Sequence, residues 1–132
     1  MTGTACWTLR VPGGATLTLA AGLLRRIEPV AEVVPVPLAP PVVRGIAEAG
    51  GRVVTLLDLA ADDGARAAAA VEGGLALLLA PPLEHLAVFA PEGTRVDPPG
   101  AVPAGDRDAS APWTLARIEA LVARACREAS RR

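Results

Sequence analysis

The side chains that could do covalent or metal chemistry are few in this sequence. It has one histidine, His85, and two cysteines, Cys6 and Cys126. A zinc site needs three or four ligands, whereas His85 has only Glu84 as a close acidic neighbour in the sequence. We therefore predict no metal site. We interpret His85 as a half-exposed strand residue and both cysteines as small buried apolar groups. A disulfide between the two cysteines is disfavoured in a reducing cytoplasm.

Motifs for nucleophilic catalysis and phosphate binding are missing from the sequence as well. There is no G-x-S-x-G elbow, both serines, Ser110 and Ser130, lie in the C-terminal region, and there is no lysine for a phosphate-binding loop. The aspartates at 62–63 and 106–108 are typical of solvated turns. A Ser–His or Cys–His pair through His85 stays open, although no motif supports it. We predict no catalytic residue and no cofactor.

The composition favours a single globular domain. The 132 residues are 52% hydrophobic and 20% charged, with a formal net charge of −1. The aromatic residues are Trp7, Phe89 and Trp113, and acids and bases are scattered along the chain, which disfavours nucleic-acid binding. The sequence has no apolar run of about 18 residues, and its N-terminus lacks the pattern of a secretory leader. We therefore expect a cytoplasmic protein with no segment inserted in a membrane.

Alternating residues predict a β hairpin near the N-terminus. Residues 5–11 and 15–21 alternate between apolar and polar side chains on either side of the glycines at 13–14, as half-buried strands do. The apolar spacing then becomes helical over residues 23–27, and Pro29 would end such a helix. We predict a short early helix at this point.

The central part of the chain is predicted to form a second hairpin, reached by an extended segment. Prolines recur through residues 35–41 and prevent regular sheet pairing, so this segment must run along an edge or across a surface. Apolar residues then dominate 42–49 and 53–59, on either side of the glycines at 50–51. This pattern predicts a strand, a turn and a second strand.

The second half of the chain is predicted to contain another hairpin, a short strand and a long helix. The hairpin would turn at the glycines 73–74. Residues 91–112 are rich in proline and glycine, which indicates a loop. Residues 113–130 have helical spacing, with Ser110 as the N-cap and Pro112 in the first turn. The predicted apolar face of this helix consists of Leu115, Ile118, Leu121, Val122 and Ala125. About seven short strands with such turns favour small barrels or a sandwich.

One stretch has a more specific pattern. Residues 23–60 read LLRRIEPVAEVVPVPLAPPVVRGIAEAGGRVVTLLDLA. Without a gap, this stretch resembles the first half of the CheW-like domain, the adaptor of bacterial chemosensory arrays. Five groups of residues carry the resemblance: the apolar pair Leu24 and Ile27, the prolines at 40–41, the apolar-apolar-basic-Gly-Ile run at 42–46, the turn exit at 51–54 and the closing Leu-Asp-Leu at 57–59.

The resemblance implies a mainly β fold. It would consist of two small SH3-like, five-stranded antiparallel barrels with a short early helix and a C-terminal helix. Subdomain 1 would span roughly 15–60, and subdomain 2 roughly 66–100 plus the N-terminal strand, followed by a loop at 101–112 and the helix at 113–130. Whether the second barrel is complete stays open, because the family's last strands fall where this chain has its Pro- and Gly-rich loop.

The resemblance also implies a function. The protein would be a non-catalytic adaptor that couples chemoreceptors to a CheA-type histidine kinase in a chemosensory or motility signalling pathway. Its partners would be the regulatory domain of the kinase, the cytoplasmic tip of a chemoreceptor, or both. The resemblance places the protein-binding surface at Leu24, Ile27, Arg44, Gly45, Ile46, Gly50 and Arg52.

This chain departs from the family at its central turn. The family's N-L-R-G is here Glu-Ala-Gly-Gly at 48–51, so Gly50 stands where relatives carry an arginine that supports binding. A turn glycine without a binding role is the other interpretation, and loss of one of the two partners stays open. The alternative hypothesis is a β-barrel accessory subunit or enzyme of an unrelated pathway. A cleft joining His85 to Cys6 or Cys126 would favour the enzyme. Scattered positions with an apolar groove elsewhere would favour the adaptor.

Overall fold

The computed structural model describes residues 5–12, 16–62, 73–100 and 112–130. In these parts of the chain, strands form two sheets, one of three and one of six strands. The strands are β1 (Cys6–Arg10), β2 (Thr16–Ala20), β3 (Leu24–Pro29), β4 (Glu32–Val34), β5 (Val43–Ala49), β6 (Arg52–Leu57), β7 (Leu75–Leu79), β8 (Leu86–Ala90) and β9 (Arg95–Asp97). The helices are α1 (Leu59–Asp62) and α2 (Leu115–Ser130), and Ala21–Leu23 forms a 3-10 turn.

The three-stranded sheet contains the predicted N-terminal hairpin. β1 and β2 pair antiparallel, with Thr8 opposite Thr18, and the predicted turn at 13–14 lies outside the described residues. β9 pairs with the other edge of β1. This strand lies within 91–112, where the sequence predicts loop throughout, so the prediction is wrong for these three residues. β9 forms because the open edge of β1 supplies partners for its backbone polar groups, which local composition does not reveal.

The predicted early helix is wrong beyond the single 3-10 turn. The residues that follow this turn form β3, which pairs antiparallel with β7, so that Ile27 lies opposite Leu77. A bulge between Leu24 and Arg26 adds one residue to β3. Because of this extra residue, Leu24 and Ile27 share one face at a spacing of three, which is also a helical spacing. Pairing with β7, which is distant in the sequence, therefore makes residues 24–29 a strand and not a helix.

The six-stranded sheet, in the order β3-β7-β8-β6-β5-β4, closes into a small barrel. The chain bends between β3 and β4. Two residues between these strands form hydrogen bonds in different directions. The N–H of Val30 donates to the carbonyl of Gly74 (3.1 Å), and the N–H of Ala31 donates to the carbonyl of Glu48 (3.3 Å). β3 and β4 therefore act as one bent strand that pairs with β7 at one end and with β5 at the other.

The predicted fold class is confirmed, since the protein is mainly β, in two sheets with SH3-like barrel architecture, and has a C-terminal helix. The parallel pairing of β6 with β8 is an exception to the predicted antiparallel arrangement. The predicted central hairpin is β5 and β6, and its turn residues Gly50 and Gly51 have φ angles of 59° and 78°, as a type I′ turn requires. The first arm of the hairpin predicted around 73–74 lies outside the described residues. The two-subdomain division stays a prediction.

Two apolar clusters lie on opposite faces of the six-stranded sheet. The inner cluster fills the barrel and consists of Ala47, Ala49, Val54, Leu56, Ala76, Leu78, Ala87 and Phe89. The outer cluster joins the other face of this sheet to the three-stranded sheet and α2, and includes Leu9, Leu19, Leu57, Leu77, Leu86, Val88, Trp113, Ile118 and Leu121. The two faces alternate along each strand, as Leu77 and Leu78 on β7 illustrate.

Trp113 anchors the entry to helix α2. Its N–H donates to the carbonyl of Thr18 (2.8 Å), and its carbonyl accepts from the N–H of Ala20 (2.9 Å), so the chain runs beside β2 before the helix begins. The predicted apolar face of the helix is largely confirmed. Ile118, Leu121 and Ala125 are buried and Val122 is half-buried, whereas Leu115 is exposed.

The start of α2 differs from the prediction. The helix begins at Leu115, and the N–H of Arg117 donates to Oγ1 of Thr114 (3.3 Å), which is an N-cap contact. Pro112 lies before the helix and not in its first turn, and Ser110, the predicted cap, lies outside the described residues. In the parts of the chain that the structure describes, no helix has the length and apolar character needed to cross a bilayer.

Candidate functional site

An apolar groove of about 570 Å³ opens on the outer face of the six-stranded sheet. The segment 36–40 forms one wall, α2 forms the other, and β5, β6 and the start of β8 form the floor. A groove of this size can hold a small molecule or an apolar segment of a partner protein. Its lining includes Val36, Leu38, Ile46, His85, Val122 and Cys126.

The groove exists because α2 covers only part of this face. Neighbouring residues on β4, β5, β6 and β8 lie side by side across the sheet: Val34, Ile46, Thr55 and Leu86. Leu86 is 4% exposed and belongs to the outer cluster, whereas Ile46 is 41% and Val34 is 64% exposed. Burial of apolar surface contributes about 25 cal/mol per Å², so a partner that covers this strip gains stability from it.

The segment between β4 and β5 holds an apolar side chain open to solvent. The N–H of Ala39 donates to the carbonyl of Val36 (3.3 Å), and the N–H of Val43 donates to the carbonyl of Pro40 (2.9 Å). Within the first of these turns, Leu38 has a φ of 63° and is 71% exposed. This left-handed conformation costs a residue with a side chain about 1–3 kcal/mol, and such strain concentrates at functional sites. Leu38 is therefore a candidate contact residue.

His85 and Cys126 both line the apolar groove. His85 is exposed in the turn before β8, not half-exposed in a strand, and its carbonyl accepts from the N–H of Thr55 (3.0 Å). Cys126 is an exposed free thiol, so its predicted burial is wrong, while Cys6 is half-buried. Residue 126 follows the buried Ala125 on α2 and faces the groove, where no strand or helix of the described chain covers it.

Neither a His85–Cys126 hydrogen bond nor a cluster of metal-ligating side chains is found around the groove in the described residues. Within them, no hydrogen bond joins the side chains of His85 and Cys126. They also contain no cluster of three His, Cys, Asp or Glu side chains that could hold a metal ion. What the groove does offer is apolar surface from three strands, one helix and one proline-containing segment.

Arg44 and Gly45, two of the predicted binding residues, contact neighbouring strands of the barrel. They follow Val43 at a bulge in β5. Gly45 has a φ of 146°, and a Cβ at this position would lie 2.6 Å from the carbonyl oxygen of Val34. Glycine is therefore needed at this position for β4 to lie this close to β5. The guanidinium carbon of Arg44 lies 5.5 Å from the centre of the Phe89 ring, a cation–π contact. A role of either residue in binding stays a prediction.

The three apolar residues of the predicted binding surface have different surroundings. Ile46 lies on the floor of the apolar groove. Leu24 is half-buried against the outer cluster. Ile27 is 37% exposed on β3, and neither it nor Leu24 lines the groove. The fold therefore separates Ile46 from the other two residues.

Gly50 and Arg52 line a second concavity, of only about 20 Å³, beside the turn between β5 and β6, which we call the arginine cleft. Arg25, Arg26 and Glu84 also line it, together with two leucines of β7. Guanidinium groups bind carboxylates and other anions, so this cleft and the apolar groove suit different chemical groups. Of the seven predicted residues, Ile46 thus lies in the groove, Gly50 and Arg52 lie in the cleft, and the other four line neither.

Sequence reasoning missed the two walls of the groove. Val36 and Leu38 alternate with prolines, which is a signal of an extended segment with solvent-facing apolar side chains. That signal could have identified one wall. Nothing in the sequence pairs Val122 and Cys126 of α2 with β5, because the helix and the strand are distant in the chain and meet only in the fold.

The comparisons with known proteins bear on the fold. No protein-family model matches the sequence, and no curated protein matches it. Among solved structures, the fold is similar to the crystal structure of the scaffolding protein TtCheW from Thermoanaerobacter tengcongensis, with a TM-score of 0.57. The match covers 77% of this chain and 68% of that chain at 10% sequence identity. This similarity shows a CheW-like fold, in agreement with the pattern at 23–60.

Proposed function

We propose that this protein is a non-catalytic cytoplasmic adaptor that couples chemoreceptors to a CheA-type histidine kinase in a chemosensory or motility signalling pathway. The observation that carries the proposal is the apolar groove on a CheW-like fold. A protein described as a scaffolding protein has a similar fold. Adaptor work needs a rigid framework with an uncovered apolar surface, and the closed barrel and the groove supply these two features.

The groove suits one face of a partner helix. A helix presents apolar anchors at three- and four-residue intervals. Ile46 on the floor, Leu38 on one wall and Val122 on the other would contact such anchors. The helical cytoplasmic tip of a chemoreceptor is the partner that we propose for the groove. The regulatory domain of the kinase is the second proposed partner.

Isothermal titration calorimetry with the cognate receptor tip and with the kinase regulatory domain tests the proposal. We expect binding to at least one of them. Ile46→Glu should weaken the groove-dependent complex by about ten-fold or more, because the complex would bury an unpaired carboxylate.

Val53→Glu is the matched control for this substitution. Val53 is 72% exposed on β6 and does not line the groove, so this variant should bind like the wild type. Binding of the wild type to neither partner would contradict the proposed function. Equal losses in the Ile46 and Val53 variants would contradict the assignment of the groove.

An enzyme is the second candidate function, because His85 and Cys126 line the same groove. A thiol nucleophile needs a base within hydrogen-bond reach, and the described residues provide no such bond between these two side chains. This favours the adaptor.

Alkylation by iodoacetamide in a Cys6→Ser background separates the two functions. For the adaptor, the rate of Cys126 alkylation should be unchanged by His85→Ala. Fast alkylation that His85→Ala slows would favour the enzyme.

A further inference from the structure

Three arginines from two strands line the arginine cleft. Arg25 and Arg26 come from β3, and Arg52 comes from the start of β6. All three side chains are exposed at the surface. Glu84 also lines the cleft and offsets one of the three positive charges, and Leu78 and Leu79 of β7 contribute to the lining. Exposed guanidinium groups bind carboxylates through charge-assisted hydrogen bonds whose strength falls as the salt concentration rises.

Two of these arginines have no carboxylate partner in the described chain. Arg26 donates to Oε1 of Glu28 in an ion pair. Neither Arg25 nor Arg52 forms an ion pair among the residues that the structure describes. Their positive charges are therefore available to a ligand from outside.

Gly50 keeps the cleft open. Its φ of 59° favours glycine, and a Cβ at this position would lie 2.9 Å from Cγ of Glu28. A side chain at residue 50 would therefore displace Glu28, which pairs with Arg26. The glycine leaves bare backbone between Arg26 and Arg52.

The cleft and the apolar groove are adjacent on the surface. Glu84 lines the cleft and His85, the next residue, lines the groove. On β6, Arg52 lines the cleft and Thr55 lines the groove, and three residues of strand span about 10 Å. Because residues three apart on a strand point to opposite faces, a partner segment that contacts both surfaces must pass around the edge of the sheet beside Glu84 and His85.

We propose that the arginine cleft binds carboxylate side chains that lie beside the apolar anchors of the segment in the groove. The partner segment would then carry aspartate or glutamate at one end of its apolar face. This inference rests on the proposed function and deepens it. The groove would recognise the apolar anchors of the partner, and the cleft would recognise its carboxylates. Arg25 and Arg52 select the acidic element through paired hydrogen bonds to a carboxylate.

The experiment uses charge reversal in the full chain and whichever partner the wild type binds. Arg25→Glu and Arg52→Glu should each weaken binding about five-fold at about 50 mM salt, and the loss should shrink at about 500 mM salt. Arg95→Glu is the matched control, because Arg95 is an exposed arginine on β9, paired with Asp97 and outside the cleft. This control should change the affinity less than two-fold. Replacement of the partner's acidic residues by arginine should restore binding to the Arg52→Glu variant.

The outcomes separate this inference from the proposed function. If Ile46→Glu abolishes binding while the Arg25 and Arg52 variants match the Arg95 control, the adaptor function stands and the role of the cleft is overturned. If the wild type binds neither partner, the cleft is tested with a hexaglutamate peptide by NMR of the arginine Nε–Hε groups. Shifts confined to Arg25 and Arg52 would support the cleft, and unchanged spectra would overturn it.

Discussion

The two faces of the six-stranded sheet are packed in different ways. The inner face, within the barrel, is lined by four alanines, Ala47, Ala49, Ala76 and Ala87, around the larger Phe89 and a few aliphatic residues. The outer face is lined mainly by leucines and packs against α2 and the three-stranded sheet. The inner face is closed on itself, whereas the outer face extends beyond its helix and leaves the apolar groove.

This difference shows how one set of strands serves both stability and binding. A barrel of so few strands has little interior room, so alanines fill it and one aromatic ring contributes much of the buried surface. Helix α2 has 16 residues and is about 24 Å long, and it packs over the part of the sheet around Leu86. The strip at Ile46 and Val34 stays exposed. Both faces of the sheet thus carry buried apolar clusters that stabilise the fold, and only the uncovered part of the outer face is left as a binding surface.

The strongest test of this comparison is Phe89→Ala. Phe89 is the large ring of the inner cluster, and its truncation should lower the free energy of unfolding by about 3–5 kcal/mol because the closed barrel cannot collapse onto the cavity. Urea unfolding followed by tryptophan fluorescence measures the change. Phe89→Leu, which keeps most of the volume, should cost less than about 1.5 kcal/mol. Equal losses of stability in the two variants would contradict tight packing around Phe89 inside the barrel.

Gly45→Ala should have the next largest effect. The new Cβ would meet the carbonyl oxygen of Val34 at 2.6 Å, and the φ of 146° is strained for alanine, so we expect a loss of about 2 kcal/mol or more in the free energy of unfolding. Gly22→Ala is the control, because nothing lies within 4 Å of a Cβ at Gly22. Comparable stability of the two variants would refute the framework role of Gly45.

Substitutions of Leu38 should change stability and binding independently. Leu38→Gly should be about 1 kcal/mol more stable than Leu38→Ala, because only glycine relieves the positive φ. Both variants remove the same exposed apolar side chain, so both should weaken the groove-dependent complex to a similar extent. Thermal unfolding and calorimetry with the receptor tip measure the two quantities. Wild-type affinity in both variants would exclude Leu38 from the groove contact.

Arg44→Met should have the smallest effect. The substitution removes the cation–π contact with Phe89, which is worth about 0.5–1 kcal/mol, and keeps an apolar chain of similar length. Partner affinity should stay unchanged if Arg44 belongs to the framework. A variant that unfolds like the wild type but binds weakly would instead support the binding role that the resemblance assigned to Arg44.

Much of the fold could be predicted because its signals are local. The alternation of residues 16–20 and the glycines at 50 and 51 predicted strands and a turn that the structure contains. The early helix was predicted at β3 because a bulge between Leu24 and Arg26 imitates helical spacing. Bulges and helices place apolar residues at the same interval, so the sequence could not distinguish them without the partner strand.

The candidate site could be predicted only in part. The resemblance at 23–60 pointed to Ile46, Gly50 and Arg52, which line the groove or the cleft. It also included Gly45, whose surroundings are those of a packing residue. The walls of the groove were missed because they come from α2 and from a segment with no regular structure, and their meeting depends on how far the helix extends over the sheet.

The sequence by itself determined the alternating strands, the glycine turn, the C-terminal helix and the CheW-like pattern. These follow from the geometry of neighbouring residues: side-chain alternation, helical period and the conformations that glycine allows. Only the tertiary structure decided that β3 is a strand, that β9 completes a sheet, that Cys126 is exposed and that arginines of two strands share a cleft. Each of these depends on contacts between residues far apart in the chain, whose free energy outweighs local preference.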